Sequence, residues 1–151
     1  AAASECGGLV VAGTANGAVV VFELVQGERG EQANKAASHW VHSGAVSCVA
    51  VNNCFRQFLS AGQDGCAVLF STNSLAPVCA LPRHHGPVLA AAACEITGDW
   101  ATTTGTAVCV WDCNGSPVAA ASLHLAPPFS PPCTSHHRQH RQHRQHRQHR
   151  Q

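Results

Sequence analysis

The sequence predicts an all-β chain of about three four-stranded antiparallel sheets, arranged as an incomplete propeller and followed by a disordered C-terminal tail. Three observations carry this reading. The apolar runs are only four to seven residues long and are separated by turn residues, which is strand length rather than helix length. Turn glycines recur at Gly17, Gly65 and Gly105, 48 and 40 residues apart, and the aromatics Phe22, Phe70 and Trp111 follow at spacings of 48 and 41. A histidine twice stands four residues before a valine, at His42–Val46 and His84–Val88. A period of roughly 40–45 residues holding several short strands is the mark of propeller blades.

The first unit, about 7–41, opens with a hairpin of Gly8–Gly13 and Ala18–Leu24 around the turn Thr14-Ala15-Asn16-Gly17. The polar, glycine-rich stretch 26–32 then reads as an inserted surface loop, with the outer strand expected within Ala36–Val41. The second unit, 42–81, is the most regular. His42 leads into the run Val46–Val51, and Phe58-Leu59-Ser60 follows. The turn Gly62-Gln63-Asp64-Gly65 then precedes Ala67–Phe70. Asp-Gly suits such a connection because glycine tolerates positive φ. The third unit, about 82–122, runs from His84-His85-Gly86-Pro87-Val88 through Trp100–Thr103 and the turn Thr104-Gly105-Thr106 to Val108–Trp111-Asp112. Its alanine tracts, Ala90–Ala93 and Ala119–Ala121, are poor strand formers by composition. The repeat register nevertheless places strands there.

Past Leu123 the character changes. Pro127-Pro128 and Pro131-Pro132 block a continuous strand, and His-Arg-Gln then repeats five times from 137 to 151. The His-Arg-Gln stretch has no apolar residue to drive ordering, and the tail is expected to be disordered. The organisation is therefore a partial propeller over 1–123 and a proline-rich, then His-Arg-Gln tail over 124–151.

The repeats resemble WD40 blades. Such blades often hold a buried hydrogen-bond chain of His, Ser or Thr, Asp and Trp. In the second unit His42, Ser60 and Asp64 match the first three places, while Phe70 and Ser71 stand where Trp and Asp are usual. Phenylalanine has no indole N–H to donate, so the chain is expected to stop at Ser60. In the third unit His84, Trp111 and Asp112 match, and the inner turn has no Asp. These seven residues (His42, Ser60, Asp64, Phe70, His84, Trp111 and Asp112) form the expected structural network. The stretch Ile96-Thr97-Gly98-Asp99, with Val108-Cys109-Val110-Trp111-Asp112 and the exit Cys113-Asn114-Gly115-Ser116-Pro117-Val118, narrows the match further. Over about 1–122 the chain resembles the C-terminal WD40 repeats of BEACH-domain proteins, of the autophagy-linked FYVE and neurobeachin type. That resemblance implies a large cytoplasmic scaffold, peripheral on intracellular membranes, that binds proteins through propeller loops in membrane trafficking or selective autophagy.

Composition bounds the alternatives. The chain has 151 residues and no Met, too short for a closed propeller, and is expected to be a fragment. Its formal charge of +1 conceals two halves. Residues 1–133 carry four basic against eight acidic side chains, and 134–151 carry five Arg and no acid. The mildly acidic repeat region argues against nucleic-acid binding there. The nine Cys include no CxxC pair, so zinc-finger spacing is absent, and most are expected to be buried within strands. No metal or other cofactor is expected. Neither phosphate loop nor nucleophile elbow is visible, Ser60 having no G-x-S-x-G around it, so the chain is expected not to be an enzyme. Two competing functions stay open: metal or nucleic-acid binding by the His/Arg-rich tail, and a non-functional product of a truncated gene model. The end blades should expose Val10, Val20, Val110 and Val118, a surface that invites self-association.

Overall fold

A computed structural model describes residues 2–6, 8–27 and 30–122, with side chains from residue 8 onward. They form three four-stranded antiparallel sheets. The first contains β1 (Ala2–Cys6), β2 (Leu9–Gly13), β3 (Ala18–Gly27) and β4 (Gly30–Trp40), paired in chain order. The second contains β5 (Val46–Asn52), β6 (Gln57–Gly62), β7 (Ala67–Ser71) and β8 (Pro77–Ala80). The third contains β9 (Ala90–Ala93), β10 (Trp100–Thr103), β11 (Ala107–Trp111) and β12 (Pro117–Ser122). The expected tail lies outside the described residues.

Alternation along each strand gives every sheet two apolar faces, so each needs a neighbour on both sides. Between the first two sheets, Val11, Val19 and Val21 meet Phe58, Val68 and Phe70, all buried. Phe58 and Phe70 pair across β6 and β7 and stack with centroids 4.7 Å apart. Between the second and third sheets, Leu59 and Leu69 pack with Trp100 and Trp111, which pair across β10 and β11. Truncating one buried aromatic of this kind costs about 3–5 kcal/mol.

The links between sheets are stitched to the turns they cross. Residues 41–45 follow β4 and abut two turns: the His42 amide donates to Gly17 O, and Gln63 N donates to Ala45 O. The 81–89 link does the same one sheet on, with His84 N donating to Gly65 O, Val88 N to Gly62 O and Leu89 N to Thr103 O. The β2–β3, β6–β7 and β10–β11 turns are thereby gathered at one end of the stack.

Three expectations need correction. The polar stretch 26–32 is no loop inserted ahead of the outer strand. The β3–β4 ladder runs on through Val25↔Gln32 and Gln26↔Glu31 to Gly27↔Gly30, and β4 is eleven residues long. Pairing continues because two extended strands satisfy each other's backbone groups even beyond the packed sheet. A strand ahead of the first unit's expected start near residue 7, β1, pairs with β2 from Ala2↔Gly13 to Cys6↔Leu9. The cysteines are also less buried than expected. Cys54 and Cys94 sit exposed in turns, and Cys48, Cys66, Cys79, Cys109 and Cys113 are half-buried. The alanine tracts, by contrast, do form β9 and β12, because β10 and β11 supply their hydrogen-bonding partners.

Gly17 has φ +87° and faces the His42 carbonyl so closely that a β-carbon would collide with it. Gly105 has open space around it and no positive φ. Gly17→Ala should therefore lower stability by about 1–3 kcal/mol, and Gly105→Ala should stay within about 0.5 kcal/mol. Urea denaturation followed by circular dichroism checks both.

Candidate functional site

Of the seven residues singled out from the sequence, His42, Ser60, Asp64, His84 and Trp111 enter two hydrogen-bond networks near the inter-sheet links, and Phe70 and Asp112 lie outside both. In the second sheet Ser60 stands on β6, with its side chain on the face toward the first sheet. Asp64 lies in the β6–β7 turn, and His42 enters from the preceding link. His42 Nε2 is 2.9 Å from Ser60 Oγ, and His42 Nδ1 is 3.2 Å from Asp64 Oδ1. An ionised carboxylate only accepts, so Nδ1–H donates to Asp64. Asp64 also accepts from the amides of Cys66 at 3.0 Å and Ser43 at 2.9 Å. Burial alone would push its carboxyl up. The Cys66 and Ser43 amides and the His42 ring outweigh that effect and hold it below its ordinary value. Phe70 touches none of these polar atoms; it stacks on Phe58 and lies 5.6 Å from the His39 ring.

The third sheet solves the same problem with different groups. His84 Nε2 is 2.7 Å from Thr102 Oγ1, and Trp111 Nε1 donates to that same hydroxyl at 2.8 Å. His84 Nδ1 lies 3.2 Å from Gly65 O, a carbonyl that only accepts and so takes the Nδ1–H. A proton-ordered run follows: indole N–H to Thr102, Thr102 hydroxyl to imidazole, imidazole to the neighbouring sheet's backbone. The Gly65 carbonyl stands where Asp64 serves His42. Sequence reading missed Thr102, which is 1% exposed. The available signal was its place on the strand after His84, matching that of Ser60 after His42. Asp112 belongs to neither network; it lies in the β11–β12 turn and accepts from the Asn114 and Ser116 amides at 2.9 and 2.8 Å.

Chemically these are closed arrangements. Ser60 has no exposed surface and His42 retains 6% of its own, so the Ser–His–Asp set holds hydroxyl, ring and carboxylate together without offering the hydroxyl to a substrate. Among the described residues no group of three or more His, Cys, Asp or Glu is placed to hold a metal ion.

Two expectations follow from this geometry. The folded Asp64 carboxyl titrates below the unfolded one, so its contribution to stability is complete above the unfolded pKa of ~3.9. That contribution disappears as pH falls through the lower folded value. Acidification from about pH 5 downward should therefore destabilise the wild type more steeply than Asp64→Asn, read from denaturation midpoints at each pH. Thr102→Val leaves both the His84 ring and the Trp111 indole without their shared partner. It should cost about 1–3 kcal/mol, with tryptophan fluorescence reporting the transition.

Comparison with known proteins agrees with this architecture. No protein-family model matches the chain. It is 29% identical over 131 residues to Protein SPIRRIG of Arabidopsis thaliana. It is 28% identical over 122 residues to WD repeat- and FYVE domain-containing protein 4 of Mus musculus. A third relative, BEACH domain-containing protein A2 of Arabidopsis thaliana, is 27% identical over 129 residues. These matches cover 84%, 79% and 84% of the chain, which spans only about 4% of the length of each relative. Among solved structures, a chain of the mitotic checkpoint complex superposes with a TM-score of 0.69 at 21% identity, over 81% of this chain and 37% of that one. The computationally designed Ika8 protein superposes with a TM-score of 0.67 at 18% identity, over 80% and 35% of the two chains. By fold the chain is a run of WD40 propeller blades, and in sequence it resembles the WD40 repeats of BEACH-domain proteins.

Proposed function

We propose that the chain is a non-catalytic interaction module of a BEACH-type scaffold, working in membrane trafficking or selective autophagy at the cytoplasmic side of intracellular membranes. The observation that carries this reading is the end of the stack at which the links and turns converge. Two large apolar side chains beside those turns are in contact with water, Trp40 at 70% and Leu89 at 58% exposure. Trp40 pairs with Ala18, next to the Gly17 turn, and Leu89 is bonded to Thr103 beside the Thr104–Thr106 turn. Exposed aromatic and aliphatic anchors framed by polar turns are what protein partners bury. The opposite end exposes Ile96, which serves as the control. The inaccessible Ser60 hydroxyl supports a binding role over hydrolysis, and among the described residues no helix is long and apolar enough to cross a membrane.

Proximity labelling from the chain expressed in cells tests the reading. Labelled proteins should be enriched for those of endosomal or autophagic membranes. Trp40→Ala with Leu89→Ala should remove that enrichment several-fold, and Ile96→Ser should leave it unchanged. Loss of enrichment only on deleting 134–151 would move the function to the tail. A fluorophosphonate probe should leave Ser60 unmodified in the folded chain; stoichiometric labelling there would restore a hydrolase reading.

A further inference from the structure

The dipeptide Asn-Gly occurs twice in the chain, as Asn16-Gly17 in the β2–β3 turn and Asn114-Gly115 in the β11–β12 turn. The two turns have like backbones. Each glycine has positive φ, +87° and +82°, and its amide donates to the carbonyl three residues back, Thr14 O at 3.3 Å and Asp112 O at 3.0 Å. Such a step carries a latent reaction. A glycine nitrogen is not shielded by a β-carbon and can reach the carboxamide carbon of the preceding asparagine. The surroundings of the two steps differ. The Asn16 carboxamide is held by the Thr14 hydroxyl. Gly17 is buried, its carbonyl accepts from the His42 amide, and the His42 and Gly44 carbonyls fill the space beside its α-carbon. Asn114 is exposed. Its turn is held by the Asp112 carboxylate, which accepts from the Asn114 and Ser116 amides and leaves the Asn114 carboxamide unengaged. Gly115 is half-buried and meets only side-chain ends, Cys79 Sγ and Leu81 Cδ2.

We infer that Asn114 is a site of spontaneous deamidation and that the fold protects Asn16 from the same reaction. The Gly115 nitrogen gives its proton to solvent and attacks the Asn114 carboxamide carbon. A new C–N bond forms, the bond to the side-chain nitrogen breaks, and that nitrogen takes a proton from solvent and leaves as ammonia. Water then opens the five-membered succinimide at either carbonyl, giving aspartate or isoaspartate. One water is consumed at this step and one ammonia released, with no change of oxidation state. Isoaspartate is the product with a structural consequence. The main chain then runs through the former side chain and is one carbon longer, and the former Asn114 carbonyl becomes a free carboxylate. That carbonyl accepts from the Cys79 thiol at 3.3 Å, and the adjacent Cys113 carbonyl accepts from Gln57 Nε2 at 3.0 Å. Both bonds join the third sheet to the second, so the modification loosens that junction and sets a second carboxylate beside Asp112. The inference does not rest on the proposed function, whose test reads Trp40 and Leu89.

The test is to hold the full chain at neutral pH and body temperature and follow its tryptic peptides by mass. Trypsin places the two steps in separate peptides, 1–29 and 84–138, each with a single asparagine. Peptide 84–138 should deamidate several-fold faster than 1–29 and should become a substrate for an isoaspartyl methyltransferase. In urea, with the fold removed, the two rates should converge. Equal rates in the folded chain, or faster conversion at Asn16, would overturn the inference. The aged chain should unfold at a lower urea concentration than the fresh one. Asn114→Gln, whose longer side chain closes the ring far more slowly, should age without that loss. Asn114→Asp adds the charge on an unlengthened backbone and should stay near the fresh wild type. A drop in Asn114→Asp as large as that on ageing would overturn the role given to the lengthened chain.

Discussion

The second sheet has apolar side chains on both of its faces, and the packing of the described residues follows from the need to cover both. Phe58, Ser60 and Phe70 point one way from the second sheet; Leu59, Ala61 and Leu69 point the other. Only a neighbour on each side removes both sets from water. The chain meets this need by repeating the sheet, so each interface sets a bulky pair against a smaller one. The chemistry of the junctions varies, from stacked phenyl rings against valines in one to two indoles against leucines in the other.

Stacking creates a second requirement. The chain must pass from the outer strand of one sheet to the inner strand of the next, and that passage brings backbone amides and carbonyls between packed layers. The two links satisfy them by bonding to the turns of both flanking sheets. Each link also carries an imidazole, whose two nitrogens join a strand hydroxyl to an acceptor in a turn. His42 uses the Asp64 carboxylate and His84 the Gly65 carbonyl. The Asp-less turn of the third unit is therefore not a gap in the network, because the neighbouring sheet's backbone provides the acceptor. Trp111 adds a donor to Thr102 that Phe70 cannot offer to Ser60.

This arrangement separates composition from chemistry. A serine, a histidine and an aspartate within hydrogen-bond reach have the makings of a hydrolase triad, yet catalysis needs the hydroxyl to meet a substrate. Here the hydroxyl is the deepest member and the carboxylate lies nearest to solvent, the reverse of what acyl transfer requires. Water-facing chemistry is left to the turns and to the side chains beside them. A similar division holds for the thiols: burial pushes those of Cys48 and Cys79 up, while the Thr97 hydroxyl and nearby amides hold the exposed Cys94 thiol below its ordinary value.

What the sequence determined by itself was the local and periodic part. Strand length, the glycine turns at 17, 65 and 105, and the recurring aromatic position follow from backbone conformation and side-chain alternation. They imply an all-β repeat without any knowledge of contacts. Spacing also nominated His42, Ser60, Asp64 and His84, although it could not supply a single distance between them. Tertiary structure decided the rest. Thr102 is an ordinary strand threonine until His84 and Trp111 close on its hydroxyl from different elements. The tracts Ala90–Ala93 and Ala119–Ala121 prefer helix in isolation and become strands only because β10 and β11 offer them a ladder. Residues 26–32 look like loop by composition and are largely strand by pairing. In each case the deciding partner lies on another strand or another sheet, and the free energy of that meeting is absent from the residue's own neighbourhood in sequence.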